Sequence, residues 1–484
     1  MRQNGDRFEL LDRLIGEAYA SGVAGNRAED ARTDGREVTI SGRRLVNFAS
    51  CSYLGLELDP RLKDAAIEAI RAHGIQLSAS RSYLSSSLYL ELETRMAEIF
   101  GAPVVVAPTT TLGHLATIPT LIDPEDAILL DHHAHASIQM TCKVAGADGT
   151  HVELVPHNDL DRVAERTAAL AEKHARVWYL ADGVNSMTGH FAPNGAIADL
   201  LEAHPTLRLY VDDAHGMSWC GTHGSGSVAD DFANHPQVVL TTGLAKGFGT
   251  GGGIIVLSDE RQRERVQRYG PTMVFGGPLQ PAVLGAAIAS AEIHLSDEIE
   301  TLQGELRARM AHRNAVVREL GVVMTSSPET PVGLVALGPV RAAHALCRRL
   351  VDEGFYINPA QFPALPVRRS GGRFLLTRHH TFDDIERLMG AVARHWEPAI
   401  REAGASPEEV GQTFDVEIPE QKRSARPRAA EAGEDALRLE AADTIDKLDL
   451  REWDARMADR GCLASSAMRV FEQAFAGAKQ PEER

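Results

Sequence analysis

The chain of 484 residues is 44% hydrophobic and 24% charged, which excludes a small binding module and a disordered or collagen-like polymer; its length exceeds what one core usually fills. Fifty basic against 67 acidic residues leave a net charge of −17 with no cationic stripe, so a nucleic-acid partner is not expected. Cys51, Cys142, Cys220, Cys347 and Cys462 stand apart without CxxC pairs, which argues against a disulfide framework or a zinc site and suits a reducing cytoplasm.

From the amino end, MRQNGDRFELLDRLIGEAY reads as an amphipathic helix rather than a secretory signal, and no apolar run has membrane-spanning length, so neither export nor a membrane partner is expected. This arm, residues 1–45, continues through polar GNRAEDARTDGRE into a hairpin, VTISGRRLVNF, in which SGR supplies the turn. A large α/β domain is expected over residues 46–275. There VVVAPT, AILLDH, HVELVP, VWYLADG, LRLYVDDAH, VVLTTG and GGIIVLS alternate with helical patterns such as LDRVAERTAALAEKH, the signature of strands buried on both faces. A smaller α+β domain follows over 276–398: one long helix through LGAAIASAEIHLSDEIETLQGELRARMAHRNAVVREL, strand-like VVMTSS and GLVALG, the helix AAHALCRRLVDEG, and strands FYINPA and RFLLTR. Residues 399–484 read as a linker, polar through EIPEQKRSARPRAAEAGED, and an appended helical tail.

In open α/β sheets ligands gather outside the carboxyl ends of the strands, which draws attention to Asp182, Asp212 and Lys246. Lys246, in TTGLAKGFGTGGG, is either a nucleophile for an aldehyde, freed of its proton by burial, or a surface lysine beside a glycine-rich turn. A carboxylate that ends a buried strand needs a cation or strong hydrogen bonds; for Asp212 a protonated pyridine nitrogen is favoured, whereas Asp213 serves equally well as a turn cap. The fork of Arg373 suits a carboxylate or an ordinary ion pair. His135 follows a strand end where an imidazole can stack on a flat ring. The competing metal reading of DHHAH is disfavoured, because His132, His133 and His135 crowd one turn without a cysteine or glutamate partner.

Taken together, NFASCSYLGL, DHHAHAS, DGVNSMTG, VDDAHG, GLAKGFG and RFLLTRHHT, in this order over about residues 45 to 395, resemble the α-oxoamine synthases, pyridoxal-phosphate enzymes of the class I/II aminotransferase fold (fold type I). The resemblance implies a mostly parallel seven-stranded sheet domain followed by a smaller α+β domain. It implies that Lys246 carries the cofactor, Asp212 meets the pyridine nitrogen, His135 stacks on one ring face and Ala214 covers the other, and that His215 and Ser186 lie beside the cofactor. Thr110 and Thr111 match the helix start that offers amides to the phosphate, and Arg373 the group that holds the amino acid's carboxylate.

Several positions depart from the family pattern. Ser52 stands where an asparagine is expected at the substrate carboxylate, Asp182 replaces a glutamate, and Gly243 replaces a hydroxyl residue, leaving Thr242 to take over the phosphate contact. The segment that reaches across the subunit boundary reads FGGPLQP, with Gly276 and Gly277 in place of hydroxyl donors, and SASRSYLSSSLYLELE is closer to the autoinducer synthases.

The implied reaction is a decarboxylative condensation. The amino acid yields its Cα proton to Lys246 and attacks an acyl thioester, carbon dioxide leaves, and an α-aminoketone forms; His215 hydrogen-bonds the oxygen on which charge develops. The thioester is carried by coenzyme A or an acyl carrier protein, with Arg368, Arg369 and Arg373 as a cationic mouth. A homodimer is expected. The alternatives are an aminotransferase or aldolase-type reaction on the same fold, and a non-catalytic scaffold subunit, which the presence of Lys246 opposes.

Overall fold

Continuous apolar runs become the central strands because each is covered on both faces. The computed structural model describes residues 5–419; the chain from residue 420 on, with Cys462 and the predicted appended tail, lies outside the described residues. The strands, in chain order, are β1 (Glu37–Ile40), β2 (Arg43–Asn47), β3 (Val104–Ala107), β4 (Ala127–Asp131), β5 (His151–Val155), β6 (Val177–Asp182), β7 (Leu207–Asp212), β8 (Val238–Gly243), β9 (Gly253–Val256), β10 (Val332–Gly338), β11 (Phe355–Tyr356), β12 (Asn358–Ala360) and β13 (Ser370–Leu375). Seven of them form the main sheet in the order β3-β9-β8-β7-β6-β4-β5, in which only β9 runs against its neighbours. This is the mostly parallel α/β architecture the sequence implied.

Side chains alternate between two cores, one on each face of this sheet. Val104, Val106, Tyr179, Leu209 and Val211 pack on one side, while Val105, Trp178, Leu180, Tyr210 and Ile255 pack on the other. A third core gathers β10, β13 and the helices Glu298–Leu320, Val340–Asp352 and Phe382–Glu402, and takes in Phe48, Tyr53 and Trp219. The hairpin forms as read, with the turn residues Ser41 and Gly42 both at positive φ. Arg36 then ties the arm down through two hydrogen bonds to the buried carboxylate of Asp384, at 2.6 and 2.8 Å.

Three expectations are corrected. The long helix is two helices, Pro281–His294 and Glu298–Leu320; periodicity runs on through the break, but Leu295 caps the end of the first and Asp297 the start of the second. VVMTSS contributes only a single bridge, Met324 to Val335. FYINPA divides between sheets, with β11 pairing β2 and β12 pairing β13. Among the described residues, no helix is long and apolar enough to cross a membrane.

Candidate active site

The register of the main sheet brings three strand ends level, Asp182 opposite Asp212 and Asp212 opposite Thr241, so whatever follows β6, β7 and β8 converges on one place. A cavity of about 430 Å³ opens there, within the range of small-molecule sites, and is lined by Thr109, Thr110, Thr111, His135, Asp182, Asp212, Ala214, His215, Lys246 and Gln280, among others.

One wall is the start of the helix Thr110–Leu121, capped by the Thr109 hydroxyl, which accepts from the amide of Leu112 at 3.1 Å. The first amides of a helix have no partner within it, so this wall is suited to an anion. Gly243 and Gly253 let the helix approach the sheet. A Cβ at residue 243 would lie 2.8 Å from the Thr110 hydroxyl and 3.2 Å from the Ala214 methyl, and one at residue 253 would lie 2.7 Å from the Thr110 amide. Glycine at 243 therefore follows from close packing.

The floor is Asp212. Its carboxylate accepts from the Ala214 amide at 3.0 Å and from Nε2 of His114 at 2.9 Å, while His114 Nδ1 meets the hydroxyl of Tyr210 at 2.8 Å. Burial works to raise its pKa, but His114 and Lys246 hold it below the ordinary carboxylate range. Asp182 goes the other way: burial and then the Asp212 charge push it well up, and it accepts the His135 amide at 2.9 Å. His114 escaped the sequence reading. Its one signal is its place four residues after Thr110, one helical turn into the element that forms the wall.

Lys246 makes no hydrogen bond or ion pair among the described residues. Burial draws its pKa down, against the pull of Asp212, Cys51 and Asp182. His135 caps the helix Ala136–Ala147, its Nδ1 2.6 Å from the Ser137 hydroxyl; burial and Lys246 lower its pKa against the pull of Asp212. His132 instead meets the Val155 carbonyl and His133 packs on His157, with ring centroids 4.4 Å apart, and on His132 edge to face at 4.6 Å. His215 is buried with Nδ1 2.8 Å from the Tyr53 hydroxyl, and burial, Lys246 and Arg373 together push its pKa well down.

The remaining candidates lie outside the cavity lining. Arg373, on β13, donates through Nε to the Ser186 carbonyl at 2.8 Å and has its other end 3.9 Å from Cys51 Sγ; its charge is felt at both Lys246 and His215. The Ser52 hydroxyl is held by Glu57 at 2.7 Å. Thr242 is fully buried and donates its hydroxyl to the Asp213 carbonyl at 3.1 Å, on the side of β8 that faces the turn after β7. Gly276 and Gly277 follow the short helix Pro271–Phe275 and do not themselves line this chain's cavity, which Leu279 and Gln280 do.

An unpartnered amine, a buried carboxylate held ionised, an imidazole beside the cavity and a free helix start form a donor set that fits pyridoxal phosphate: aldehyde, ring nitrogen, ring face and phosphate each find a partner. The pattern of the aminotransferase class I and II family matches residues 43–392. The chain is 35% identical over 370 residues to a putative 8-amino-7-oxononanoate synthase of Acidiphilium cryptum, covering 75% of this chain and 91% of that protein. It is 33% identical over 367 residues to 8-amino-7-oxononanoate synthase of Geobacter sulfurreducens, covering 75% and 92%. Among solved structures, a serine palmitoyltransferase of Sphingomonas wittichii superposes with a TM-score of 0.71 at 25% identity, covering 83% of this chain and 99% of that one. The chain belongs to the class I and II aminotransferases and, within them, to the α-oxoamine synthases, pyridoxal-phosphate acyltransferases that condense an α-amino acid with an acyl thioester and release carbon dioxide.

Proposed function

We propose that Lys246 binds the cofactor covalently and serves as the base, and that the residues around it divide the remaining work. The observation that carries this reading is the Lys246 amine, without a hydrogen-bonding partner among the described residues and lowered in pKa, lining the same cavity as the ionised Asp212. Bound pyridoxal phosphate supplies an electron sink for the pair left behind when the amino acid's Cα proton departs. Asp212, kept ionised by His114, holds a proton on the ring nitrogen. His135 and Ala214 enclose the ring, with Asp182 behind His135 and Ser186 at its edge, and the amides and hydroxyls of Thr110 and Thr111 hold the phosphate. Arg373 grips the amino acid's carboxylate. His215 donates a hydrogen bond to the acyl oxygen as it gains charge, an interaction that typically contributes ~3 kcal/mol.

The second substrate is an acyl thioester, on coenzyme A or an acyl carrier protein, guided by the exposed Arg368 and Arg369 just before β13. We further propose a homodimer. Phe275 and Tyr83 are 89% and 90% exposed, and Ser80, in the loop that presents Tyr83, donates to the Val274 carbonyl, so both aromatics stand on one surface next to Gly276 and Gly277. A cytoplasmic setting suits a chain whose described cysteines are all free thiols.

Borohydride reduction and peptide mass analysis test the covalent attachment; a pyridoxyl mass is expected on the peptide containing residue 246, and its absence from cofactor-saturated protein overturns the reading. Carbon dioxide release that requires thioester supports the condensation, whereas keto acid formation without thioester points to transamination.

A further inference from the structure

We propose that Tyr53 is a positioning residue that fixes the tautomer of His215, so that the imidazole presents an N–H rather than a lone pair to the cavity. This deepens the proposed role of His215 as a donor and rests on it.

The geometry leaves one consistent proton arrangement. Tyr53 is 0% exposed, and among the described residues the only polar partner of its hydroxyl is Nδ1 of His215, 2.8 Å away. The phenol keeps its proton, since burial and then the neighbouring Cys51 raise its pKa. The imidazole is neutral, because burial and the charges of Lys246 and Arg373 disfavour a second proton. A neutral imidazole carries one N–H, so only two arrangements exist. If Nδ1 bore the hydrogen and donated it to the phenol oxygen, the phenol's own hydrogen would be left buried without an acceptor, which native interiors avoid. If the phenol donates to Nδ1, the buried phenol hydrogen is satisfied and the ring hydrogen resides on Nε2. That nitrogen has no protein partner among the described residues, and His215 lines the cavity.

The surroundings hold Tyr53 in place. Its backbone sits at φ 47°, a left-handed conformation unfavourable for an aromatic residue, and is locked there by the Arg378 amide on the Tyr53 carbonyl at 2.8 Å and the Arg378 guanidinium on the Leu54 carbonyl at 2.7 Å. The Trp219 indole donates to the His215 carbonyl and its ring packs against Tyr53, with centroids 6.4 Å apart. Phenol and imidazole are thus each held from outside the cavity.

The test is nitrogen NMR of cofactor-loaded enzyme carrying 15N-histidine, with His215 assigned by its loss in His215→Asn. The wild type should show Nδ1 as an unprotonated acceptor and Nε2 protonated; the reverse overturns the proposal without recourse to any Tyr53 variant. In Tyr53→Phe the Nε2–H population should fall while the visible spectrum of the bound cofactor stays the same, and turnover should drop about tenfold with the amino acid KM within twofold. Metal-bound histidines deprived of their outer partner lose activity on this scale. An unchanged tautomer in Tyr53→Phe also overturns it. If the tautomer shifts but turnover does not, the positioning stands and the donor role assigned to His215 fails, so the two readings separate.

Discussion

Asp212 and Asp213 are consecutive, both buried, and opposite in what they do. Asp212 ends β7 facing the cavity, and His114, Lys246 and the Ala214 amide keep it ionised. Asp213 turns away from the cavity into a cage of backbone, where Gly183, Gly216 and Gly226 leave no room for a Cβ beside its carboxylate; it accepts from the amide and hydroxyl of Ser227, at 2.6 and 2.8 Å. Among the described residues no cation pairs with it, and burial, only partly offset by Ser227, pushes its pKa up to about 7. The lesson is that burial alone does not define an active-site acid. The partners decide: His114 and Lys246 make Asp212 an electrostatic anchor, and the Ser227 donors make Asp213 a brace for the loop that carries His215.

The sharpest way to break this contrast lies on the cavity side. Lys246→Ala should lower turnover by about 10³-fold or more and abolish borohydride-trapped label at that peptide, while leaving the thermal midpoint nearly unchanged. Asp212→Ala should cost about 10²-fold in kcat and weaken cofactor retention, read by steady-state kinetics and by the visible spectrum after gel filtration.

Asp213→Asn should act on stability. A carboxyl whose folded pKa lies above its unfolded value of 3.8 binds more protons when folded, so the wild type should lose stability as pH rises from about 4 to 7, by a few kcal/mol, and hold level above that. The asparagine variant should lack this contribution; parallel denaturant curves across the pH range would refute it. The smallest effect is expected for Thr242→Val, about 1 kcal/mol of stability from the lost hydrogen bond to the Asp213 carbonyl, with cofactor affinity within twofold. A large loss of affinity there would return Thr242 to the phosphate.

Much of this was legible in the chain. Asp182, Asp212, His135 and Lys246 stand out because buried parallel strands read as apolar runs and their polar sequels converge at one edge of the sheet. What sequence could not supply was direction. Thr241 and Thr242 both offer hydroxyls beside the site, yet both are turned to backbone carbonyls, of Val211 and Asp213. His114 meets Asp212 across 98 positions, a contact set by helix packing on the sheet, with no local pattern to announce it. The same is true of Tyr53, which reaches His215 from a turn that belongs to the third core.

The adjacency of the two aspartates has an evolutionary corollary. Sliding β7 by a single position would exchange them, aiming the brace at the ligand and the anchor at the glycine cage. Loops at the cavity mouth are therefore free to drift toward new acyl chains and amino acids, while insertions or deletions in this one strand should be purged whatever the enzyme makes.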